Sequence, residues 1–436
     1  MEDVEDEPLY LDRACGLDVA KGKVDACIRV PSDRNAKRRA QEVRTFGTTK
    51  RELLALADWL RVHGVADVAM EATGDYWKAP FFRLEAEGFD CVLADAKQVK
   101  HLPGRPKTDK ADCVWLAKNF ERGMLAACFV ATEEFRTIRL HTRYRRNLTE
   151  ERTREKQRVE KLLEDALLKL SCVLTDVHGV SGRAIMEALI AGQKDPRALA
   201  ELAVRRARNK IRELVEALDG ADTFKAHHAF LLRTMLDRID RQSADIDDVS
   251  TQIEALLAPY EEQLTQIDSV TGFGRRSAQD LLAEIGADMT RFRTGAHLVS
   301  WAGYCPQVKQ SAGKLIGRNA RTKGNRYIGA VLGEASVAAG RTKTRIAARY
   351  RRLAKRRGKP KAQVATGNTQ LKIIHCLLSN PGTRYEDLGP DYYETRMHHR
   401  RQVRNHVKSL ERLGYTVTLD TVDETLPTGQ VEEEVA

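Results

Sequence analysis

Residues 13–122 constrain the fold most, because runs of strand-forming and helix-forming residues alternate there. The segment RACGLDVAKGKVDACIRV, residues 13–30, predicts two strands joined by a tight turn at Lys21–Lys23. Early strands followed by strands that alternate with helices predict an α/β domain with a mixed sheet. The other predicted elements are a strand at Val43–Phe46, a helix at Thr49–His63, a strand at Val65–Met70, a helix at Trp77–Glu87, a strand at Asp90–Ala94 and a helix from the KTDKADC segment to about Arg122.

Four acidic residues of this region occupy positions from which they can share a cation. Asp18 lies within the first predicted strand, where carboxylates are disfavoured, and Glu71 stands at the end of a later one. Asp109 and Asp112 are three residues apart at a predicted helix start, so they share one helix face. Mg²⁺ prefers oxygen ligands, and two such ions stabilise the attacking and leaving oxygens in phosphoryl transfer. The alternative, that these acids only cap helices and offset their dipoles, stays open at this point.

A second candidate site is the stretch Val299–Ile328, which is basic and punctuated by glycines. It carries one central hydroxyl, Ser311, followed by the small residues Ala312 and Gly313. Cations around a serine would stabilise the charge on a phosphodiester, as a serine nucleophile that attacks nucleic acid requires. The alternative is a solvated basic loop with a chance serine. Between Gly303 and Arg326 the stretch has no acid and six basic residues: Lys309, Lys314, Arg318, Arg321, Lys323 and Arg326.

Two neighbouring segments also fit nucleic-acid binding. Residues 267–286 predict a helix-hairpin-helix, in which Gly272 and Gly274 let backbone N–H groups approach a phosphate beside Arg275 and Arg276. Residues 341–361 contain eleven basic residues and no acid, as in a helix that lies on phosphates. From that helix we select Arg351, Arg352, Arg356 and Arg357 as phosphate contacts.

The charge and cysteine pattern narrows the class of protein. The formal net charge of +11 indicates a polyanionic partner. The eight cysteines form no CxxC pair, so neither a zinc ribbon nor a disulfide framework is indicated. Most of them lie beside apolar residues, so we expect most to be buried thiols in a reducing cytosol. No apolar run is long enough to span a bilayer, so we expect a cytoplasmic protein without a membrane partner.

The middle of the chain is predicted to be helical at His141–Leu170 and again at Phe230–Leu257. In the second helix an apolar residue recurs every seven positions, which indicates a coiled coil. The sequence leaves open whether this seam joins two subunits or two helices of one chain. The recurring residues are Leu232, Ile239, Ile246 and Ile253.

The motif blocks GLDVAKGKVDACI, MEATGDYW and LPGRPKTDKADCVWLA resemble those of the DEDD transposases of the IS110 insertion-sequence family. The later blocks, a hairpin followed by WAGYCP, SAGK and KGNR, are similar to the C-terminal transposase domain of the same family. The resemblance covers about residues 13–345 in the family's order. It implies an RNase H-like (RuvC-like) first domain, metal-binding acids at Asp18, Glu71, Asp109 and Asp112, and a catalytic serine at Ser311.

The resemblance further implies a DNA transposase or recombinase that excises and integrates an insertion sequence. Its cofactor would be Mg²⁺, with Mn²⁺ as the alternative, and its substrates double-stranded donor and target DNA. It would act as a homo-oligomer, a dimer or tetramer, guided by a structured noncoding RNA, at a prokaryotic nucleoid. Two rivals remain, namely a RuvC-like metal-dependent junction nuclease and a non-enzymatic nucleic-acid-binding protein.

These observations together predict four segments. Residues 10–130 form a RuvC-like DEDD domain of α/β class, and residues 131–262 form a helical linker and coiled coil. Residues 263–385 form a mainly α transposase domain with the helix-hairpin-helix and the serine loop. Residues 386–436 form a basic segment followed by an acidic disordered tail.

Overall fold

The computed structural model describes residues 10–32, 35–72, 74–96, 99, 109–306, 310–311, 314–315, 324–395 and 399–419. The chain divides into two compact units, residues 1–132 and residues 133–436. The predicted acidic tail lies outside the described residues from position 420 onward, and the finer division into four segments stays a prediction. Across the described part of the chain, no helix combines the length and the apolar character that crossing a bilayer requires.

The first unit alternates strands and helices as the sequence predicts. Thr49 caps the first helix by accepting a hydrogen bond from the backbone N–H of Glu52. The elements are β1 (Ala14–Val19), β2 (Lys23–Ser32), β3 (Asn35–Gly47), α1 (Lys50–Val62), β4 (Asp67–Glu71), α2 (Lys78–Ala86), β5 (Asp90–Ala94) and α3 (Asp109–Glu121).

The sheet of this unit is mixed, with strand order β3-β2-β1-β4-β5. The pairs β1–β2 and β2–β3 are antiparallel, whereas β1–β4 and β4–β5 are parallel. This arrangement confirms the predicted mixed α/β class and is consistent with a RuvC-like domain. The third strand is longer than the predicted Val43–Phe46, since its charged first half also pairs with β2. The prediction was too short because this half shows no apolar alternation in the sequence.

Side chains on the two faces of β1 meet different partners, because successive side chains of a strand point to opposite faces. Leu17 belongs to the main apolar core together with Leu56 of α1 and Phe81 of α2. On the other face, Gly16 lies directly under α3. A Cβ at Gly16 would stand 2.4 Å from the backbone N of Ala117 and 2.5 Å from the backbone O of Cys113.

The described elements of the second unit are helices apart from one short hairpin. The longer ones are α4 (Glu133–Asp165), α6 (Val180–Ile190), α9 (Ala226–Leu257), α11 (Arg275–Ile285), α13 (Arg326–Gly340), α14 (Arg345–Arg357), α15 (Lys359–Leu378) and α17 (His399–Arg412). The shorter ones are α5 (Leu170–Val173), α7 (Pro196–Glu201), α8 (Ile211–Ala217), α10 (Glu261–Asp268), α12 (Gly295–Trp301), β6 (Gln310–Ser311), β7 (Lys314–Leu315) and α16 (Tyr392–Thr395).

Helices α4 and α9 form a long antiparallel pair within one chain. Arg152 donates to the Ser243 hydroxyl at 3.0 Å, and farther along His228 lies 3.3 Å from the Asp165 carboxylate. The four heptad residues of α9 are at most 5% exposed in this single chain. Of the two interpretations left open above, the intramolecular helix pair therefore accounts for the repeat without a partner subunit.

Candidate active site and nucleic-acid interface

Asp18 and Glu71 follow the last paired residues of two neighbouring parallel strands. Strands β1 and β4 are in register through Leu17 and Met70, and the next residue on each strand is the acid. Both acids stand two positions after a residue covered by α3, since Gly16 touches its backbone and Ala69 packs with Phe120. Alternation along a strand therefore places both carboxylates on the face that α3 covers.

Helix α3 brings the other two acids toward the same end of the sheet. Its last turn lies by the start of β1, since Phe120 packs with Ala14, and its middle lies over Gly16. The helix therefore runs antiparallel to β1, and its first residues point toward Asp18. Asp112 is half-buried in this first part of α3. The backbone of Asp109 begins α3, while its side chain lies outside the described residues.

Cys113 lies in the first part of α3, near the carboxylates of Asp25 and Asp18. Burial, the neighbouring Cys27 and the carboxylates of Asp25 and Asp18 raise the pKa of the Cys113 thiol to about 12. The donors on this face are carboxylate oxygens, which suit a hard cation such as Mg²⁺ or Mn²⁺. Among the described side chains, however, no group of three or more His, Cys, Asp or Glu residues has a geometry that could hold a metal ion.

The structure adds one acid that the sequence argument missed. Asp25 is the cross-strand partner of Asp18 in the β1–β2 hairpin and is only 2% exposed. Its carboxylate accepts hydrogen bonds from the Thr45 hydroxyl at 2.5 Å and the Lys23 ammonium at 3.0 Å. The signal was present in the sequence, because a tight turn at Lys21–Lys23 fixes the register that sets Asp25 opposite Asp18.

The loop that carries Ser311 begins and ends at one point of the second unit. A Cβ at Gly324 would lie 2.1 Å from the backbone O of Ala302, so the WAG and KGN motifs pack backbone to backbone. Tyr304, which is 2% exposed, donates its hydroxyl to the carbonyl of Gly329 at 3.1 Å. The two ends of the loop are therefore fixed on the helical scaffold.

Asn325 anchors the exit of this loop. It caps α13 by accepting from the backbone N–H of Tyr327 at 2.9 Å, and it donates to the Glu284 carboxylate at 2.6 Å. Glu284 is 1% exposed and binds the Arg143 guanidinium through two hydrogen bonds of 2.7 and 2.8 Å. This buried network links α4, α11 and the start of α13. The asparagine of the KGN motif therefore stabilises the fold at the exit of the loop.

Ser311 itself lies in the short hairpin, where its backbone pairs with Lys314. The side chains of these two residues lie outside the described part, so the nucleophilic role of Ser311 stays a prediction. Arg326 is exposed, and its guanidinium lies 4.7 Å from the ring centre of Tyr327. The remaining predicted cations of the loop also lie outside the described residues: Lys309, Arg318, Arg321 and Lys323.

The predicted helix-hairpin-helix has the outline of two helices, α10 and α11, joined by a turn. Gly272 has φ +97°, and a Cβ there would lie 2.2 Å from the backbone O of Ala335, so packing on α13 already requires a glycine. Arg275 is held by the carboxylates of Glu261 at 2.6 Å and Glu254 at 2.7 Å, which raise its pKa. That this hairpin is a nucleic-acid-binding one stays a prediction.

The basic helix α14 presents its cations to the surface. Arg351, Arg352, Arg356 and Arg357 are exposed, and none forms an ion pair with an acid among the described residues. Arg351 donates to the backbone carbonyl of Thr342 at 2.8 Å, and Arg352 lies 4.1 Å from the ring centre of Tyr393. The surface charge expected for phosphate binding is therefore present.

Two family models of transposases match the chain. A family model for DEDD transposases of IS110 elements, described as "Transposase", matches residues 15–167. A second model, described as "Transposase IS116/IS110/IS902 family", matches residues 264–351. The two matches include the acids of the first unit and the serine loop of the second.

A curated relative gives the same family. The chain is 42% identical over 82 residues to the "Insertion element IS110 uncharacterized 43.6 kDa protein" of Streptomyces coelicolor. The matched stretch spans 18% of this chain and 19% of that protein. The chain belongs to the IS110 family of transposases.

Proposed function

We propose that the protein is a DNA transposase that excises and integrates an insertion sequence by cleaving and exchanging DNA strands. The observation that carries the proposal is the adjacency of Asp18 and Glu71 at the ends of two parallel strands, beneath a helix that begins with Asp109. Family membership makes strand transfer the chemistry that such carboxylates would serve.

The four acids Asp18, Glu71, Asp109 and Asp112 would hold divalent cations, Mg²⁺ or Mn²⁺. When bound, such cations neutralise charge on a phosphodiester and on its transition state. The chain's own contribution is the placement of carboxylates by β1, β4 and α3. Asp25 fixes the Lys23 ammonium on the same strand pair, so the site also holds a cation that belongs to the protein.

Ser311 would be the nucleophile. Its Oγ would form a bond to phosphorus while one P–O bond of the DNA breaks, and the departing sugar oxygen would take up a proton. A serine hydroxyl is a weak nucleophile at neutral pH and needs activation. No histidine occurs between Val299 and Ile328. Activation would therefore have to come from the cations of the loop, which would lower the pKa of the hydroxyl, or from metal-bound carboxylates of the first unit.

The partners belong to the same proposal. The substrates are double-stranded donor and target DNA, and the positive charge accommodates a noncoding guide RNA that pairs with both. The acids and the serine belong to different compact units, which allows the serine of one subunit to meet the acids of another in a dimer or tetramer. The protein would act in the cytoplasm, at a prokaryotic nucleoid.

A strand-exchange assay with labelled donor and target DNA, guide RNA and Mg²⁺ tests the proposal. The parent should form recombinant product only with the metal, and Asp18→Asn should form none while folding normally, because the change removes charge but little volume. Full strand exchange by Asp18→Asn or after chelation would refute the role of the acids. DNA binding without any cleavage would favour the non-enzymatic binder.

A further inference from the structure

A groove in the second unit lies outside both candidate catalytic elements. It runs between α4 and the start of α11, bordered by α13, and encloses about 820 Å³. Five arginines line it together with only three acids. Among the residues that the structure describes, its walls contain no aromatic side chain and no histidine. The groove is therefore cationic, and its described lining has no aromatic ring on which a base could stack.

The three acids of the groove are already paired with two of its arginines. Arg145, which is 2% exposed, binds Asp280 at 2.6 Å. Arg146 binds Glu150 at 3.1 Å and Glu334 at 3.2 Å. Each of the three acids in the lining is therefore paired with an arginine. A third arginine, Arg275, pairs with acids that lie outside the groove.

Two further arginines of the groove have no ion pair among the described residues. Arg154 and Arg276 are exposed, and neither forms an ion pair with a carboxylate among the residues that the structure describes. Arg276 donates instead to the Thr149 hydroxyl at 3.1 Å. Loss of surrounding water, followed by the charge of Arg145, lowers the pKa of the Arg276 guanidinium. An anion in the groove would relieve this crowding of positive charge.

The backbone adds donors at the same place. Helix α11 begins at Arg275, and its first N–H groups have no acceptor within the helix. The N–H of Gly274 is satisfied by the Ser277 hydroxyl at 2.9 Å, so the donors that remain are those of the first helical residues. The positive end of the helix dipole favours an anion beside the same two arginines.

We infer that this groove binds the sugar-phosphate backbone of double-stranded DNA through Arg154, Arg276 and the first N–H groups of α11. The described lining lacks the aromatic side chains on which single-strand binders stack bases, which favours a duplex. Contacts to phosphate alone carry no sequence information, so this surface would position DNA rather than select it. The inference rests on the proposed function, because DNA is its substrate.

The test measures binding of the full chain to duplex DNA of arbitrary sequence by fluorescence anisotropy across a series of salt concentrations. Loss of two phosphate contacts in R154Q/R276Q should reduce the log–log salt slope by about 1.8. A matched control, R197Q/R212Q, removes two arginines whose side chains are 80% and 93% exposed on other helices. The control should change the slope only slightly. Equal slopes for R154Q/R276Q and the control would overturn the inference.

Two further arms keep the result interpretable. Arg154→Gln alone alters an exposed side chain and should reduce the slope by about 0.9 with unchanged circular dichroism, even if the double variant folds poorly. Structured RNA and single-stranded DNA are titrated in parallel, and a loss confined to either of them would overturn the assignment to duplex DNA. Strand exchange at saturating DNA separates the two proposals, because a parent without exchange but with groove-dependent binding would refute only the proposed function.

Discussion

Gly16 offers the sharpest structural prediction, because the packing of α3 on β1 depends on its missing side chain. The Cβ of Gly16→Ala would stand 2.4 Å from the backbone N of Ala117 and 2.5 Å from the backbone O of Cys113. Carbon contacts are relaxed near about 3.5 Å, so α3 would have to move by about 1 Å. No rotamer can relieve the clash, since the neighbouring atoms belong to the backbone of a helix.

The cost of this overpacking should lie at the upper end of the usual range, about 3 kcal/mol. Hydrogen exchange followed by mass spectrometry reports it locally, in peptides that cover β1 and α3. A loss of about 3 kcal/mol corresponds to roughly 150-fold faster exchange in these peptides. Strand exchange should fall by about 100-fold, because a displacement of 1 Å moves Asp109 and Asp112 away from Asp18.

Gly22→Ala is the matched control, because no atom lies within 4 Å of the Cβ it would add. It changes the same hairpin by the same methyl group and should leave hydrogen exchange in α3 unaltered. If Gly16→Ala exchanged no faster than Gly22→Ala, the close contact between α3 and β1 would be wrong, and with it the argument that gathers the acids on one face.

Three further predictions concern other parts of the chain. Neutralising Arg351, Arg352, Arg356 and Arg357 should reduce the salt slope of DNA binding by about 3 to 4, and an unchanged slope would show that α14 faces away from DNA. Ile246→Asn and Ile253→Asn should each destabilise the second unit by about 2 kcal/mol or more while sedimentation shows the same oligomer, because both residues are buried within one chain; dissociation without destabilisation would return the heptads to a subunit interface. The pKa of the Cys113 thiol is raised from 9.0 to about 12, so the stability that this group contributes is complete below pH 9 and is lost as the pH rises toward 12. At pH 8 iodoacetamide should therefore modify exposed Cys172 and spare Cys113, and equal labelling in the folded protein would contradict that environment.

Local patterns in the sequence predicted local structure well. The strand Asp90–Ala94 and the end of α9 at Leu257 were predicted to the residue, and Thr49 caps α1 as its type suggested. Each depends on neighbours within a few positions. The family motifs located the acids without their geometry, since the alignment of Asp18 with Glu71 depends on the pairing of β1 with β4, which are separated in the chain by β2, β3 and α1.

Other features depend on residues far apart in the chain, and the sequence could not give them. The partner of Gly272 is Ala335, and the carboxylates that occupy Arg275 stand on α9 and α10. The heptads of α9 carry no sign of whether the facing helix belongs to the same chain. The length of β3 could not be predicted from its charged residues, because a strand that is half exposed to water needs no continuous apolar alternation.

The central claim, that Ser311 attacks DNA, is tested most directly by trapping a covalent protein–DNA adduct under denaturing conditions. The parent and Ser300→Ala, a control that removes an exposed serine from α12, should both form the adduct on labelled DNA. Ser311→Ala removes one oxygen and should bind DNA as tightly as the parent but yield neither adduct nor recombinant product. An adduct of normal yield from Ser311→Ala would contradict the claim, and clean metal-dependent cutting without an adduct from the parent would favour the junction nuclease.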